Sequence, residues 1–320
     1  MCLVALALGQ SDRFPLVLAA NRDEYFERRS APLEWWTPPG QPAPILSGRD
    51  LLGGGTWLGL NAAGRLALVT NVRSPAGNVA TAPSRGALVP RWLAGDLAFD
   101  AYWREISVGG YNGFNVIAAD VARGAWLWAS NAAATPRVLG PGLYGLSNAA
   151  LDTPWPKTVR LKEGLRSALA RAAAAEESVD ALAARLFESL SDPSMAATVE
   201  LPSTGIPVAR ERQLSAVFIR TPDGRYGTRC STLIVTERVR RQLVTHVLER
   251  TFSPEPGVAL LRRARLADWP PRYAERSHGP VEVSAVAESA VGLEATDETT
   301  ALAVPRRTRH RTLLRPARSA

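Results

Sequence analysis

The sequence predicts an α+β fold in which strands and helices pack in separate layers. Strand hairpins come first, helices occupy the middle of the chain, and strands return towards its end. A regular alternation of strand and helix, which would indicate a doubly wound parallel sheet, is absent. This segregation favours sheets built from hairpins, with helices packed on them.

The first hairpin begins at the second residue. Residues 2–8 form a continuous apolar run, which is typical of a strand covered on both faces. Polar residues 10–12 predict a turn, and residues 14–20 predict the returning strand. The polar segment 21–24 follows directly, and the proline-rich segment 31–44 predicts an ordered loop.

The remaining elements are predicted from apolar periodicity, caps and turn residues. First come a hairpin over 56–60 and 66–69 that ends at Asn71, helices over 84–94 and 99–106, and a hairpin over 116–120 and 125–130. Two longer helices follow: Leu161, Leu165 and Leu169 recur at helical spacing, and Ser178 caps the second. Strands are then predicted at 215–219, 229–236 and 243–249, with a turn at 222–224.

The net charge of +8 lies mostly at the C-terminal end. Residues 305–320 carry six arginines and no acidic residue, so the rest of the chain carries +2. Residues 274–320 lack periodicity and predict a disordered basic tail after a domain at 1–273. The chain lacks the aromatic and basic pattern of a nucleic-acid-binding module, so we expect no nucleic-acid partner. The alternative, RNA binding by the arginine tail, predicts binding that salt weakens.

The number and spacing of cysteine and histidine residues argue against disulfides and metal sites. Cys2 and Cys230 are the only cysteines and the three histidines are scattered, so we expect neither a disulfide framework nor a metal site. The chain also lacks a convincing secretory signal and a run of roughly 20 apolar residues. A cytoplasmic protein with no membrane span is therefore expected, and nothing in the sequence indicates its oligomeric state.

Cys2 is the strongest indication of chemistry. Cysteine is small enough for methionine aminopeptidase to remove the preceding Met1, which would leave a thiol and a free α-amine on one residue. The amine, with a reference pKa of about 7.7–8.0, can take a thiol proton near neutral pH. Cys2 would then be a nucleophile that carries its own base. The plain alternative is a small apolar residue at the start of a strand.

Several short motifs follow Met1-Cys2 in order. They are Ala20-Asn21-Arg22-Asp23-Glu24, Gly55-Thr56-Trp57-Leu58-Gly59, Thr70-Asn71-Val72-Arg73, Leu146-Ser147-Asn148-Ala149, Trp155-Pro156-Lys157, Leu201-Pro202-Ser203-Thr204-Gly205, Tyr226-Gly227-Thr228-Arg229 and Glu249-Arg250-Thr251-Phe252. With this set the chain resembles the NRDE family, also called the transport and Golgi organisation protein two family. The resemblance covers about residues 1–273. It is the number and order of the motifs, rather than any one of them, that carries it.

That family is in turn similar to the cysteine branch of the N-terminal-nucleophile hydrolases, which includes bile-salt and penicillin V acylases. The resemblance implies a four-layer αββα sandwich, in which two antiparallel sheets face each other and helices cover both outer faces. The predicted hairpins and helical block agree with that arrangement.

The same resemblance implies catalytic roles. Cys2 would be the nucleophile, Asn71 the donor to the oxyanion, Asn148 a residue that orients the amine, and Arg229 a strand arginine close to the thiol. Arg22 or Asp23 stands where the acylases have an arginine and an aspartate, but here the two are adjacent. Because neighbours on a strand point to opposite faces, we expect one of them, and not both, to reach the thiol.

The residues assigned roles around Cys2 also have purely structural interpretations. Asn71 and Asn148 are of a type that closes turns, and Arg229 would serve equally as an outward-facing strand residue. Cys230, next to Arg229, should point away from it and is expected to be a buried structural thiol.

Two functions fit these observations. The first is a cysteine amidohydrolase that acts on a small amide or ester with an apolar acyl part and needs no cofactor. The second is a carrier that binds haem as cargo, since members of the family are implicated in haem trafficking. Arg22, Arg73 or Arg229 would then pair with the propionates, and Cys2 or His246 would bind the iron. A small-molecule ligand is the expected partner in both.

Overall fold

The computed structural model describes residues 2–75, 77–133, 135–253 and 259–271. In chain order, the strands and α-helices of these residues are β1 (Cys2–Leu8), β2 (Leu16–Tyr25), β3 (Ser30–Trp36), β4 (Ile45–Asp50), β5 (Leu58–Asn61), β6 (Arg65–Asn71), α1 (Leu88–Leu93), α2 (Phe99–Ser107), β7 (Phe114–Asp120), β8 (Ala125–Ser130), β9 (Arg137–Val138), β10 (Gly142–Leu146), α3 (Pro156–Ala174), α4 (Val179–Leu190), α5 (Val208–Gln213), β11 (Tyr226–Val239), β12 (Gln242–Thr251) and β13 (Leu260–Ala267). They combine strands and helices as the α+β prediction requires.

The strands form two antiparallel sheets. The first sheet has six strands in the order β10-β1-β2-β11-β12-β13, and the second has seven in the order β3-β4-β5-β6-β7-β8-β9. The N-terminal strand is therefore an inner strand, paired with β2 on one side and with β10 on the other. This position gives the start of the chain a fixed place inside the sheet.

Alternating residues of β1 show how the layers are stacked. Val4 and Leu6 pack into the apolar core between the two sheets. Leu3 and Ala5, which point the other way, pack with the apolar faces of α3 and α4. A continuous apolar run is what a strand with a packed layer on each face needs, so the interpretation of the first sequence pattern is correct.

The second sheet is covered in the same manner. Trp92 of α1 and Tyr102 of α2 lie in one core with Val116 of β7. The layer order is thus helices, sheet, sheet, helices. Both the α+β class and the four-layer αββα arrangement are confirmed.

Two strands differ from the sequence-based expectation near the N-terminus. The strand β2 continues to Tyr25, so the polar segment 21–24 lies inside the sheet instead of following it. Part of the predicted loop 31–44 is the strand β3, which accommodates Pro32 because β3 is an edge strand with a register shift beside that residue. These corrections bring charged residues into the sheet at the end where Cys2 lies.

Other differences are further from that end. Residues 215–219 are expected to be a strand, but they have no strand structure. The sequence-based prediction has no counterpart for four further strands and one helix, namely β4, β9, β10, β13 and α5. The predicted tail 274–320 lies outside the described residues, so the boundary at 273 stays a prediction. Among the helices that the structure describes, none is long and apolar enough to cross a membrane.

Candidate active site

Cys2 lines a cavity of about 580 Å³ at one end of the sandwich. The first sheet contributes Arg22 and Asp23 from β2, and the second contributes Asp50 from β4 and Asn71 from β6. The segment that precedes α1 closes another side. Four of the six residues that the sequence analysis assigned to a shared site, namely Cys2, Arg22, Asp23 and Asn71, therefore line one cavity.

Arg22 is the residue directly opposite Cys2 in the β1–β2 ladder. Cross-strand partners share a face, so both side chains point between the sheets. The Arg22 guanidinium lies 4.5 Å above the Trp57 ring, and its Nη2 is 3.4 Å from Asp50 Oδ2. Its Nη1 is buried and has no hydrogen-bond partner among the described residues. Arg22 thus keeps one unused donor beside the thiol.

Opposing effects act on the pKa of the Cys2 thiol. Burial raises this pKa above its ordinary value, and the negative charge of Asp23 raises it further, whereas the positive charge of Arg22 lowers it. A thiolate at this position would satisfy both the charge and the unused Nη1–H of Arg22. The arginine therefore favours the reactive form of Cys2 against the effect of burial.

Replacing Arg22 by Met should raise the pKa of the Cys2 thiol, because an opposite charge beside the thiolate is lost. The pH profile of Cys2 alkylation by iodoacetamide, followed by peptide mass spectrometry, should therefore move to higher pH. Arg28→Met is the matched control, since Arg28 also lines the cavity and pairs with Asp50, at 2.8 Å, but its charge is not among the main influences on the thiol. An unmoved Arg22→Met profile, or an equal shift in Arg28→Met, would contradict this role.

Asp23 lies on the other side of β2 from Arg22, as expected for a neighbour on a strand. Its Oδ1 accepts a hydrogen bond of 2.7 Å from the Thr228 hydroxyl, and the side chain is fully buried. Burial raises the pKa of Asp23, whereas the charge of Lys157 lowers it. Arg22 therefore faces the thiol, while Asp23 reaches the cavity from the helix-facing side.

Lys157 is a residue whose chemistry the sequence analysis did not anticipate. It stands in the first turn of α3 with 1% of its surface exposed, and its Nζ has no hydrogen-bond partner among the described residues. Burial lowers its pKa to about 8, and the charge of Asp23 opposes this shift. The Trp155-Pro156-Lys157 motif thus supplies a buried cation beside Asp23.

Asn148 fixes the orientation of Asn71. The Asn148 Nδ2 donates to the backbone carbonyl of Asn71 at 3.0 Å and to its Oδ1 at 3.1 Å. The Asn71 Oδ1 is therefore occupied, and no described residue accepts a hydrogen bond from the Asn71 Nδ2. Since Asn71 lines the cavity, this arrangement leaves its amide N–H groups available to a ligand. Asn148 itself lies behind Asn71 and outside the cavity lining.

The neighbouring Ser147 ties three elements together at this point. Its hydroxyl is 3.2 Å from the Cys2 carbonyl oxygen, to which it donates, and its own carbonyl accepts a 2.6 Å hydrogen bond from Thr70. The Arg73 N–H donates to the Asn148 carbonyl at 2.8 Å. The ends of β1, β6 and β10 are thus held together, which fixes Cys2 relative to Asn71.

Arg229 lies apart from the cavity lining. The β2–β11 ladder shifts register between Thr228 and Cys230, so Arg229 falls in a bulge. Its Nη1 donates to the carbonyls of Tyr25 and Arg28 at 2.8 Å each, so it secures the chain after β2. Cys230 is buried, as predicted.

The described residues contain no group of three or more His, Cys, Asp or Glu side chains arranged to hold a metal ion. What the cavity does combine is a thiol, an unused arginine donor and an unused amide donor. Such a set can hold a carbonyl group and stabilise the oxyanion that forms when a thiolate attacks it.

Residues 1–254 match the family model described as Transport and Golgi organisation 2. The chain belongs to this family. Members similar to it are the Transport and Golgi organization protein 2 homologs of Bos taurus and Homo sapiens, with 38% and 37% identity over 257 residues. Each alignment covers 74% of this chain and 89% of the relative. All six candidate site residues of this Transport and Golgi organisation 2 family member fall within the matched range.

Two solved structures are similar to this family member. The first is a Caenorhabditis elegans N-acylethanolamine-hydrolyzing acid amidase ortholog, with a TM-score of 0.41, 11% identity and coverage of 73% of this chain and 92% of that one. The second is a mutant conjugated bile acid hydrolase from Clostridium perfringens, with a TM-score of 0.36, 10% identity and coverage of 76% and 91%.

Proposed function

We propose that this family member is a cysteine amidohydrolase of the N-terminal-nucleophile type. The observation that carries the proposal is the cavity in which Cys2 faces the unused Nη1–H of Arg22 and the unused Nδ2 of Asn71. A purely structural cysteine at a strand start needs neither donor. The substrate would be a small amide or ester, and hydrolysis would need no cofactor.

The proposed reaction begins with removal of residue 1, which converts the nitrogen of Cys2 into an α-amine. This amine takes the thiol proton, and the thiolate attacks the substrate carbonyl. Asn71 Nδ2–H donates to the oxyanion of the tetrahedral intermediate. The α-ammonium then gives its proton to the leaving nitrogen or oxygen, which leaves an acyl thioester on Cys2.

The second half of the reaction releases the acyl group. The amine, now neutral, takes a proton from a water molecule, and the resulting hydroxide attacks the thioester carbonyl. The thiolate leaves, and the carboxylic acid product dissociates. Asp23 would accept a hydrogen bond from the α-amine in both halves, with its carboxyl group fixed by Thr228 and its negative charge favoured by Lys157.

Acyl-enzyme trapping tests this proposal. We expect mass spectrometry of the purified protein to give a chain that begins at Cys2. Mixing it with p-nitrophenyl octanoate should release a burst of about one nitrophenolate per chain and leave an octanoyl adduct on Cys2. A retained Met1, or an adduct confined to other residues, would refute the mechanism.

The second candidate is the haem carrier, which would use the same cavity. Cys2 and Arg22 line it, and its volume and arginines suit an acidic planar ligand. The other residues considered for haem lie elsewhere: Arg73 is paired with Glu211, Arg229 holds backbone carbonyls, and His246 contacts Arg263 on the first sheet. Saturable haem binding by a protein that forms no octanoyl adduct would favour the carrier over the hydrolase.

A further inference from the structure

The cavity around Cys2 is rich in arginine. Four arginines line it, one each from β2, the connection after β2, the segment before α1, and α5: Arg22, Arg28, Arg85 and Arg210. It is also lined by three carboxylates, those of Asp23, Glu24 and Asp50. The contacts of these carboxylates decide which arginines remain open to a ligand.

The hydrogen bonds and ion pairs of the three carboxylates are formed with residues other than Arg85 and Arg210. Asp50 Oδ2 lies 2.8 Å from Arg28 and 3.4 Å from Arg22. Glu24 Oε1 accepts a hydrogen bond from its neighbour's backbone N–H, and its Oε2 is 4.0 Å from Arg28. Asp23 is held by Thr228 beside Lys157.

Arg85 and Arg210 form no ion pair with any carboxylate among the described residues. One hydrogen bond holds each guanidinium: Arg85 Nη1 donates to the Gly113 carbonyl at 3.0 Å, and Arg210 Nη1 donates to Gln213 Oε1 at 3.2 Å. The Arg210 guanidinium also lies over the Tyr226 ring. Both side chains are therefore oriented by neutral hydrogen-bond partners, which leave most of their N–H groups free.

Arg85 is close enough to the nucleophile for the two charges to interact. Burial lowers its pKa, and the negative charges of the Cys2 thiolate and of Glu24 raise it. A guanidinium stays protonated throughout the accessible pH range. Arg85 therefore presents a permanent positive charge to any molecule that reaches Cys2.

A different part of the cavity lining is apolar. Val79, Ala80, Ala82 and Pro83 contribute to it from the segment before α1, and 64% of the Val79 surface is exposed. An exposed valine beside a row of small apolar residues offers contact to an alkyl group. The cavity thus combines an apolar portion with a cationic one.

We propose that this cavity binds an acylated small molecule that carries a carboxylate, with Arg85 as the main donor to the carboxylate and Arg210 as the second. A guanidinium fork matches the two oxygens of a carboxylate, which makes this anion a better fit than a neutral polar group. That the bound molecule is a substrate rests on the proposed hydrolase function, whereas recognition of its carboxylate does not.

Two alkylating reagents that differ only in charge test the anion site directly. Iodoacetate and iodoacetamide both modify Cys2, and the ratio of their rate constants reports anion recognition at the thiol. We expect Arg85→Met to lower the ratio of the iodoacetate rate to the iodoacetamide rate by about tenfold, the value of one charged hydrogen bond. Arg85→Lys should restore part of it. Arg104→Met, on the exposed face of α2, is the matched control and should keep the wild-type ratio.

The iodoacetamide rate serves as the internal check on folding, because it measures access to Cys2 without a charge on the reagent. Peptide mass spectrometry assigns the modification to Cys2 and not to the buried Cys230. An unchanged ratio in Arg85→Met would overturn the proposal, whether or not the two individual rates fall together.

Protection experiments extend the test to an acylated ligand. N-octanoylglycine and its neutral analogue N-octanoylglycinamide share the acyl chain and the amide. We expect the acid to protect Cys2 from iodoacetamide at about tenfold lower concentration than the analogue, and Arg85→Met to remove the difference. Equal protection by both in the wild-type protein would overturn the proposal.

The two proposals fail in different ways. If no octanoyl adduct forms on Cys2 but the reagent ratio and the acid preference depend on Arg85, the hydrolase is refuted and the carboxylate site stands. If the adduct forms but neither the ratio nor the preference depends on Arg85, the hydrolase stands and the carboxylate site is refuted.

Discussion

Replacing Cys2 by Ala should abolish hydrolysis of p-nitrophenyl octanoate, with a fall of at least about 10³ in kcat/KM. The variant keeps a small residue after Met1, so the aminopeptidase still exposes an α-amine at position 2. Only the sulfur is lost, while the donors of Arg22 and Asn71 remain in the cavity. The measurement is the steady-state rate of nitrophenolate release.

A second variant separates the thiol from the amine. One glycine inserted between Met1 and Cys2 keeps the thiol on the chain but moves the α-amine one residue away. If the amine is the base, this variant should be about as inactive as Cys2→Ala, although iodoacetamide would still modify its thiol. Wild-type turnover by the inserted variant would contradict self-activation, and wild-type turnover by Cys2→Ala would contradict the nucleophile itself.

Replacing Asn71 by Leu should lower kcat by about 10² to 10³, since one oxyanion donor is removed. Leu has nearly the same shape as Asn but no N–H group. KM should change little, because the donor is needed when the oxyanion forms and less when the substrate binds. Initial rates across a substrate series, with unfolding curves to verify the fold, provide the measurement.

Asn112 offers a matched control for Asn71 inside the same cavity. Both ends of its side-chain amide are already occupied, since Oδ1 accepts from the Val79 N–H at 2.8 Å and Nδ2 donates to the Val79 carbonyl at 2.9 Å. Asn112→Leu should therefore affect the position of that segment but change kcat far less than Asn71→Leu. An equal effect of both substitutions would indicate that the loss reflects general disturbance of the cavity.

Asn148→Leu should have an intermediate effect. The Asn71 amide would lose the donor that occupies its Oδ1, so its Nδ2 would point into the cavity only part of the time. The kcat of this variant, measured beside that of Asn71→Leu, separates a positioning role for Asn148 from direct contact with the reacting atoms.

Much of the fold follows from local patterns. The apolar run of β1 and the leucine spacing of α3 are strong signals of secondary structure, because each has to match a packed layer. The edge strand β3 escapes prediction because Pro32 and the prolines that follow the strand argue for a loop, and only tertiary context reveals that an edge tolerates Pro32. The polar end of β2 is misjudged because charged residues in a buried strand are stabilised by partners far away in sequence, such as Asp50 for Arg22.

Only part of the candidate site can be predicted from the sequence. The alternation of a strand separates Arg22 from Asp23, so their different faces follow from the chain itself. The bulge that holds Arg229 away from the cavity has no local signal, because it arises from pairing with β2. Lys157 and Arg85 look like solvent-exposed charges of helix starts, and only the packing around them shows that Lys157 is buried and that Arg85 lines the cavity with Cys2.

The inner position of β1 sets an order of events during synthesis. From Cys2 onwards the strand is hydrogen-bonded to β2, and from Val4 onwards also to β10. If Cys2 acts by the proposed mechanism, an aminopeptidase that needs the first residues unpaired would have to act on the nascent chain before the hairpin and β10 have closed around them. Chains that fold with Met1 still attached would stay unprocessed for the lifetime of the folded state. The active fraction would then depend on the rate of Met1 removal relative to the rate of folding at the ribosome. An N-terminal affinity tag would leave every molecule without a free α-amine on Cys2.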